Sequence, residues 1–342
     1  MATSTKEMIV ASWQSIGTIG LVSKRTPVLK PGEVLIRVAA SGICGTDLHI
    51  LKGETPHAIQ KVVIGHEFSG YVEEIHPQTN TLVKVGDLVA IDPTVPCSQC
   101  SFCRNKKYHL CTNLSIVGIS VDGGMSQYVA VPARIAIAVP SHVPPEVACL
   151  SEPLSCVVHA LDKGNVKGGD SVLVIGAGPI GLMTVALANA SGGKVTVIEP
   201  SELRRQKAKE VFGAAEVYAP NVLGPVNGVL GEGFDVVFEC VGRPNTETDA
   251  VNFAKAGGTV VWVGVAKVED CISIFPYDIY RRELTITSSF TNPYGIDRAV
   301  KILAEGRVDW GALISHSFKL SEFDMAWKVF TAGTGLKVIV KP

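Results

Sequence analysis

The sequence predicts an α/β protein built from a β-rich unit followed by a doubly wound parallel sheet. Three observations carry this prediction. Short β-like runs broken by glycine and proline fill the chain up to about residue 150. Strand–helix alternation begins after about residue 155. A Gly-x-Gly-x-x-Gly turn then sits between an apolar run and a helix-like stretch.

In the first region, Glu33–Val38, Ser69–Ile75 and Leu88–Ile91 combine apolar and β-branched residues with flanking turn signals, as antiparallel strands do. In the second, Ser171–Ile175, Lys194–Ile198, Asp235–Phe238 and Thr259–Val263 are almost continuously apolar. Strands of that kind, separated by helices from Pro179 and over Glu202–Phe212, belong to a parallel sheet covered on both faces. A short helix near Asp297–Glu305 and strands near the C-terminus follow.

Composition narrows the function. The 342 residues are 46% hydrophobic and 18% charged, enough for two buried cores. The formal net charge is −1 with no long run of one sign, so neither a nucleic-acid surface nor a membrane face is expected. Met1–Met8 lack an apolar run, so no secretory leader is expected. Val172–Ala190 is nearly long enough to span a bilayer, but Gly176, Gly178, Pro179 and Gly181 interrupt it. A buried strand, turn and helix explain it better. Of nine cysteines, four crowd together, which favours metal binding in a reducing, cytoplasmic setting over a disulfide framework.

The turn Gly176-Ala-Gly178-Pro179-Ile180-Gly181 gives the dinucleotide reading of the Rossmann type. Its first glycine makes the turn, the second admits the pyrophosphate and the third packs helix against strand. Glu199 ends the next strand, 23 residues after Gly176. A carboxylate there accepts from ribose hydroxyls and repels a 2′-phosphate, so NAD is expected over NADP. Arg204 and Arg205 pull the other way, since either suits a phosphate.

Cys97-x2-Cys100-x2-Cys103-x7-Cys111 offers four thiolates on one loop, a closed structural zinc site. A second set is dispersed: Cys44 with Thr46 and His49, then His66-Glu67, then Glu152. Three ligands and one exchangeable position make a catalytic zinc, which polarises an alcohol oxygen. Taken alone, Cys44 is equally a buried filler, His66 a core histidine and Glu152 a carboxylate at a helix start.

Together these motifs closely resemble the zinc-containing medium-chain dehydrogenases over essentially the whole chain, and within them the polyol, threonine and butanediol branch. The matching segments are Gly42–His49, Gly65–Gly70, the four-cysteine loop, Gly123–Tyr128, Ser151–Leu154 and the glycine-rich turn. The resemblance implies a GroES-like catalytic domain over 1–154, a Rossmann NAD-binding domain over 155–290, and a return to the catalytic domain over 291–342. It implies an active site in the cleft between them, with one catalytic and one structural zinc. Cys44 and His66 are then ligands, and Glu67 and Glu152 bind zinc directly or through water. Glu152 takes the place of a second cysteine, as in sorbitol dehydrogenase, in preference to Cys156. Thr46 matches the hydroxyl that bonds the alcohol oxygen, and His49 the relay to solvent. The substrate implied is a secondary alcohol, foremost a polyol or sugar alcohol, with a diol or threonine next. Relatives are dimers or tetramers, and Thr259–Val263 is the strand expected to extend a sheet between copies. Three departures stand out: His76-Pro77 after the zinc signature, Ile50 where sorbitol dehydrogenases often carry tyrosine, and Ser289–Tyr294 in place of an Arg-Tyr stretch.

Overall fold

The computed structural model describes residues 6–55, 58–220, 222, 232–293 and 295–342. Its internal contacts divide the chain into two compact units, Met1–Ser155 with Pro293–Pro342, and Cys156–Asn292.

The first unit is organised on a seven-stranded sheet. Its order is Ile314–Lys319, Lys337–Lys341, Glu33–Gly42, Glu67–Ile75, Leu88–Ile91 and Ala136–Ala138, with Tyr128–Pro132 also paired to Glu33–Gly42. All pairs are antiparallel except Ile314–Lys319 with Lys337–Lys341. Val34, Ile36, Val38, Phe68, Val72, Val89 and Val131 form a buried core on this sheet. Bulges between Val38 and Ala40 and between Leu35 and Ile36 bend the longest pair. The last strand brings Ile339 and Val340 against Gly42 and Ser41, so the C-terminal segment is sewn beside the turn that carries Cys44.

The second unit is a six-stranded parallel sheet. Its order is Glu216–Tyr218, Lys194–Ile198, Ser171–Ile175, Phe234–Glu239, Ala254–Trp262 and Thr285–Ser288. The first strand in sequence lies third, and the order reverses beside it. This is the doubly wound arrangement, which places ligands at the carboxyl end of that first strand. Val172–Ile175, Val195–Ile198 and Val236–Phe238 are buried, as the apolar runs predict for a sheet covered on both faces.

One expectation is corrected here. The strand expected over Thr259–Val263 pairs on both sides, with Phe234–Glu239 and with Thr285–Ser288, and so offers no edge. On this side of the sheet the edge is Thr285–Ser288, a short strand of mixed polarity whose role periodicity alone does not reveal.

Candidate functional site

The helix Gly45–Lys52 begins where strand Glu33–Gly42 ends, and Cys44 stands at its N-terminus in extended conformation. Asp47, three residues on, accepts the Cys44 N–H through Oδ2 at 2.9 Å, half of a capping box. Its other oxygen, Oδ1, lies 3.8 Å from His66 Nδ1. Asp47 is wholly buried, and burial raises the pKa of its carboxyl. Sequence reasoning passed over Asp47; the signal was an acid at the third helical position after Cys44, which aims a carboxylate back at the turn.

Glu67 opens the strand Glu67–Ile75, and His66 stands just before it, after Gly65 in the left-handed region (φ 95°). A side chain at Gly65 would press on the Met125 amide and the Ser41 hydroxyl, both 2.8 Å from its Cβ. Gly118 and Gly123 pack against the Gly65 carbonyl in turn, so the Gly123–Tyr128 motif serves as a backbone platform for His66. The folded chain thereby brings Cys44, His66 and Glu67 together, with one ligand atom of each within 4.8 Å of the others.

Glu67 has a partner that no motif suggested. Lys337 Nζ reaches both Glu67 oxygens, at 2.9 and 2.6 Å, and the Ile43 carbonyl at 3.3 Å. Both side chains are buried. Gly42 leaves room for this carboxylate, since a Cβ there would overlap Glu67 Oε2. Glu152 is also buried, in the first turn of helix Ser151–Gly164, outside the 4.8 Å set but near enough for its charge to act on His66. Burial, with repulsion from Glu67, pushes its pKa up to about 7. Cys156 lies one turn later and is half-buried rather than buried.

The electrostatics fit a cation. Burial disfavours charge on His66, yet the Cys44 sulfur, Asp47 and Glu152 together hold its proton well above the ordinary imidazole range. A buried group of this kind takes a proton because negative donors outnumber positive ones, and a zinc ion satisfies the same donors better. Protons and zinc compete for them, so acidification favours the proton. Zinc uptake by the metal-free protein is therefore expected to weaken as pH falls through the neutral range, by roughly tenfold per pH unit for each proton displaced. Zinc titrations across that range, recorded with proton release, check this; an affinity flat with pH would contradict it.

Thr46 and His49 share the helix with Cys44. Thr46 Oγ1 lies 3.6 Å from the Cys44 sulfur. His49, in the last turn, is half-buried and pairs with Glu54.

The four-cysteine loop closes on itself. The Cys97, Cys100, Cys103 and Cys111 sulfurs all lie within 4.8 Å of one another. Backbone N–H groups point at them: Cys97 to Cys111 (3.3 Å), Cys100 to Cys97 (3.4 Å), Cys103 to Cys100 (3.5 Å) and Asn113 to Cys111 (3.4 Å). Such donors stabilise thiolates, and they bring the Cys100 pKa down to about 6, whereas burial pushes Cys103 up to about 12. Four converging sulfurs with amide donors suit a tetrahedral ion.

In the second unit, Gly176 turns with φ 94° directly after Ile175. Gly181 packs on it so closely that a Cβ would overlap the Gly176 carbonyl oxygen. Gly178 differs: a Cβ there meets nothing within 4 Å. The chain's own packing does not demand that glycine, which stands at the N-terminus of helix Pro179–Ala190. Gly181→Ala is expected to weaken dinucleotide binding by at least about tenfold, because the helix must shift from the turn. Titration of NADH fluorescence checks this, and unchanged affinity would contradict it. Glu199 is buried and accepts the Ala177 N–H at 2.7 Å and the Ser201 N–H at 3.0 Å, so it braces the glycine turn. Each oxygen keeps a lone pair for a ribose hydroxyl. Arg205 donates to the Glu199 and Pro200 carbonyls, while Arg204 sits in the first turn of the next helix, Glu202–Glu210.

Comparison with known proteins matches these features. The family model described as "Alcohol dehydrogenase GroES-like domain" matches residues 30–141, and "Zinc-binding dehydrogenase" matches residues 179–305. The chain is 35% identical to an L-threonine 3-dehydrogenase of Thermococcus kodakarensis, covering 94% of each chain. It is 32% identical to an L-idonate 5-dehydrogenase of Vitis vinifera, covering 95% of this chain and 92% of the relative. Among solved structures, a zinc-binding dehydrogenase from Sinorhizobium meliloti bound to NADP superposes with a TM-score of 0.93 at 36% identity, covering 98% of this chain and all of the other.

Proposed function

Since the chain belongs to the zinc-dependent medium-chain alcohol dehydrogenases, we propose that it oxidises the secondary hydroxyl of a polyol or sugar alcohol to a ketone, with NAD as hydride acceptor. The observation that carries this reading is the convergence of Cys44, His66 and Glu67 in a chain that also holds the glycine-rich turn at the carboxyl end of its first parallel strand. Bound zinc supplies Lewis acidity toward the alcohol oxygen, and the nicotinamide supplies the hydride acceptor.

The chain's own residues then have distinct tasks. Cys44 and His66 hold the catalytic ion with Glu67 or Glu152, and Cys97, Cys100, Cys103 and Cys111 hold a second, structural one. Asp47 anchors the Cys44 backbone and stands behind His66. Lys337 governs how far Glu67 is free to turn toward the ion. Thr46 takes the substrate proton and His49, partly exposed, hands it to water. Glu199 and Arg204 bind the adenosine ribose, with Gly176, Gly178, Pro179, Ile180 and Gly181 under the pyrophosphate.

The substrate class follows from relatives that act on polyhydroxy compounds, named L-idonate, D-arabinitol and sorbitol dehydrogenases. Threonine is the second reading, favoured by the Thermococcus relative. It requires a partner for the amino-acid carboxylate that a polyol does not need; Tyr294 lies outside the described residues. Initial rates of the zinc-loaded enzyme on polyols, 2,3-butanediol and threonine, each with NAD and NADP, decide between them. Turnover confined to threonine, or to NADP, would overturn the leading reading.

The assembly proposed is a homodimer or homotetramer formed along the strand Thr285–Ser288. Among the described residues that edge has no strand partner, and the adjoining Phe275 and Tyr280 are 81% and 80% exposed. A cytoplasmic site of action is proposed from the cluster of unpaired thiols. Among the described residues, no helix is long and apolar enough to cross a membrane.

A further inference from the structure

The geometry points to Glu54 as a positioning residue for the proton relay: its carboxylate decides which nitrogen of His49 carries hydrogen. This rests on the relay role proposed above for His49.

The placement begins in the local sequence. Helix Gly45–Lys52 stops at Gly53, which takes the left-handed conformation (φ 74°) open to glycine. The Gly53 N–H donates to the Ile50 carbonyl at 2.9 Å, and the Glu54 N–H donates to the His49 carbonyl at 2.9 Å. These two capping bonds fold the chain back over the last turn and set the Glu54 side chain beside the His49 ring. Glu54 Oε2 then lies 2.6 Å from His49 Nδ1.

The chemical consequence is specific. An ionised carboxylate only accepts hydrogen bonds, so His49 Nδ1 carries the hydrogen. In the neutral ring the lone pair is then on Nε2. An imidazole free in water prefers the opposite arrangement, so Glu54 reverses the ring's own tendency. On the relay reading, Nε2 takes up a proton from the Thr46 side and the same nitrogen releases it to water, so Nδ1 keeps its hydrogen and Glu54 stays ionised. The His49 and Glu54 side chains are 33% and 32% exposed, open enough for water to collect the proton and covered enough to hold one geometry.

Nitrogen-15 NMR of the zinc-loaded wild-type protein, at a pH where the ring is neutral, tests the assignment without a variant. Hydrogen on Nδ1 and none on Nε2 is expected; the opposite tautomer overturns the proposal. Kinetically, Glu54→Gln, which replaces an acceptor-only carboxylate by an amide able to donate to Nδ1 as well as accept from it and so no longer fixes hydrogen there, is expected to lower kcat about tenfold with KM within about twofold. Glu54→Asp is expected to retain most of kcat. In a His49→Gln background, Glu54→Gln is expected to cost nothing further, because the two act as one unit. A loss of the same size in that background, or wild-type kcat in Glu54→Gln, overturns the proposal. Full kcat in His49→Gln with hydrogen still on Nδ1 of the wild type would instead sink the relay reading and leave the orienting bond standing.

Discussion

Cys44→Ser is expected to lower kcat/KM for alcohol oxidation by about a thousandfold or more while leaving one of two zinc ions in place. A serine oxygen is a poorer zinc ligand than a thiolate, and it stands at the start of a helix whose backbone Asp47 already holds in position. Lewis-acid stabilisation by zinc amounts to several kcal/mol, and about 4 kcal/mol corresponds to about a thousandfold in rate. The fold survives, because Cys44 is half-buried and its neighbours are tied by backbone bonds to Asp47 and to the strand Lys337–Lys341. Metal analysis beside kinetics checks the prediction. A variant that keeps two zinc ions and full activity would remove Cys44 from the site.

Cys103→Ala is expected to do the reverse: it removes the other zinc and destabilises the protein, with the chemistry of surviving molecules largely intact. Cys103 is the most buried of the four cysteines, and the Cys97, Cys100, Cys103 and Asn113 amides are directed at sulfur. Without the ion the sulfurs lose their common partner, and the binding free energy that ordered the loop is lost. A cost of about 3 kcal/mol lowers the melting temperature by roughly 6–12 °C for a unit of this size. Scanning calorimetry with metal analysis measures it. An unchanged melting temperature with one zinc per chain would show that the loop holds its shape without metal. Loss of activity in the folded fraction, in step with Cys44→Ser, would deny the separation of the two sites.

The two variants separate because the two donor sets are built differently in the chain, and that difference also governs what was legible beforehand. The glycine-rich turn and the four-cysteine loop are local: their groups lie within a few residues of one another, so spacing alone constrains geometry. Gly176 needs its positive φ, Gly181 needs its missing Cβ, and four thiols on one loop have few other uses. The parallel unit was legible because burial on both faces imposes an apolar run on its interior strands, and the β-rich unit because its short runs are punctuated by turn signals.

Side-chain pairs that cross the chain were not legible in this way. Glu67 meets Lys337 across 270 residues, because the last strand pairs beside the turn that follows Gly42. The buried Asp47 faces His66 only once the helix Gly45–Lys52 and the strand Glu67–Ile75 are packed. Even Glu54, five residues from His49, required knowing that Gly53 ends the helix in the left-handed region. The strand expected to form an edge is interior because Thr285–Ser288, weakly patterned by itself, adds to its free side. The sequence by itself therefore determined the classes of chemistry present and the units that carry them. Only the tertiary structure decided which carboxylate each cation and imidazole meets, since a charge inside a protein is placed by the backbone that buries it, and that backbone is assembled from distant parts of the chain.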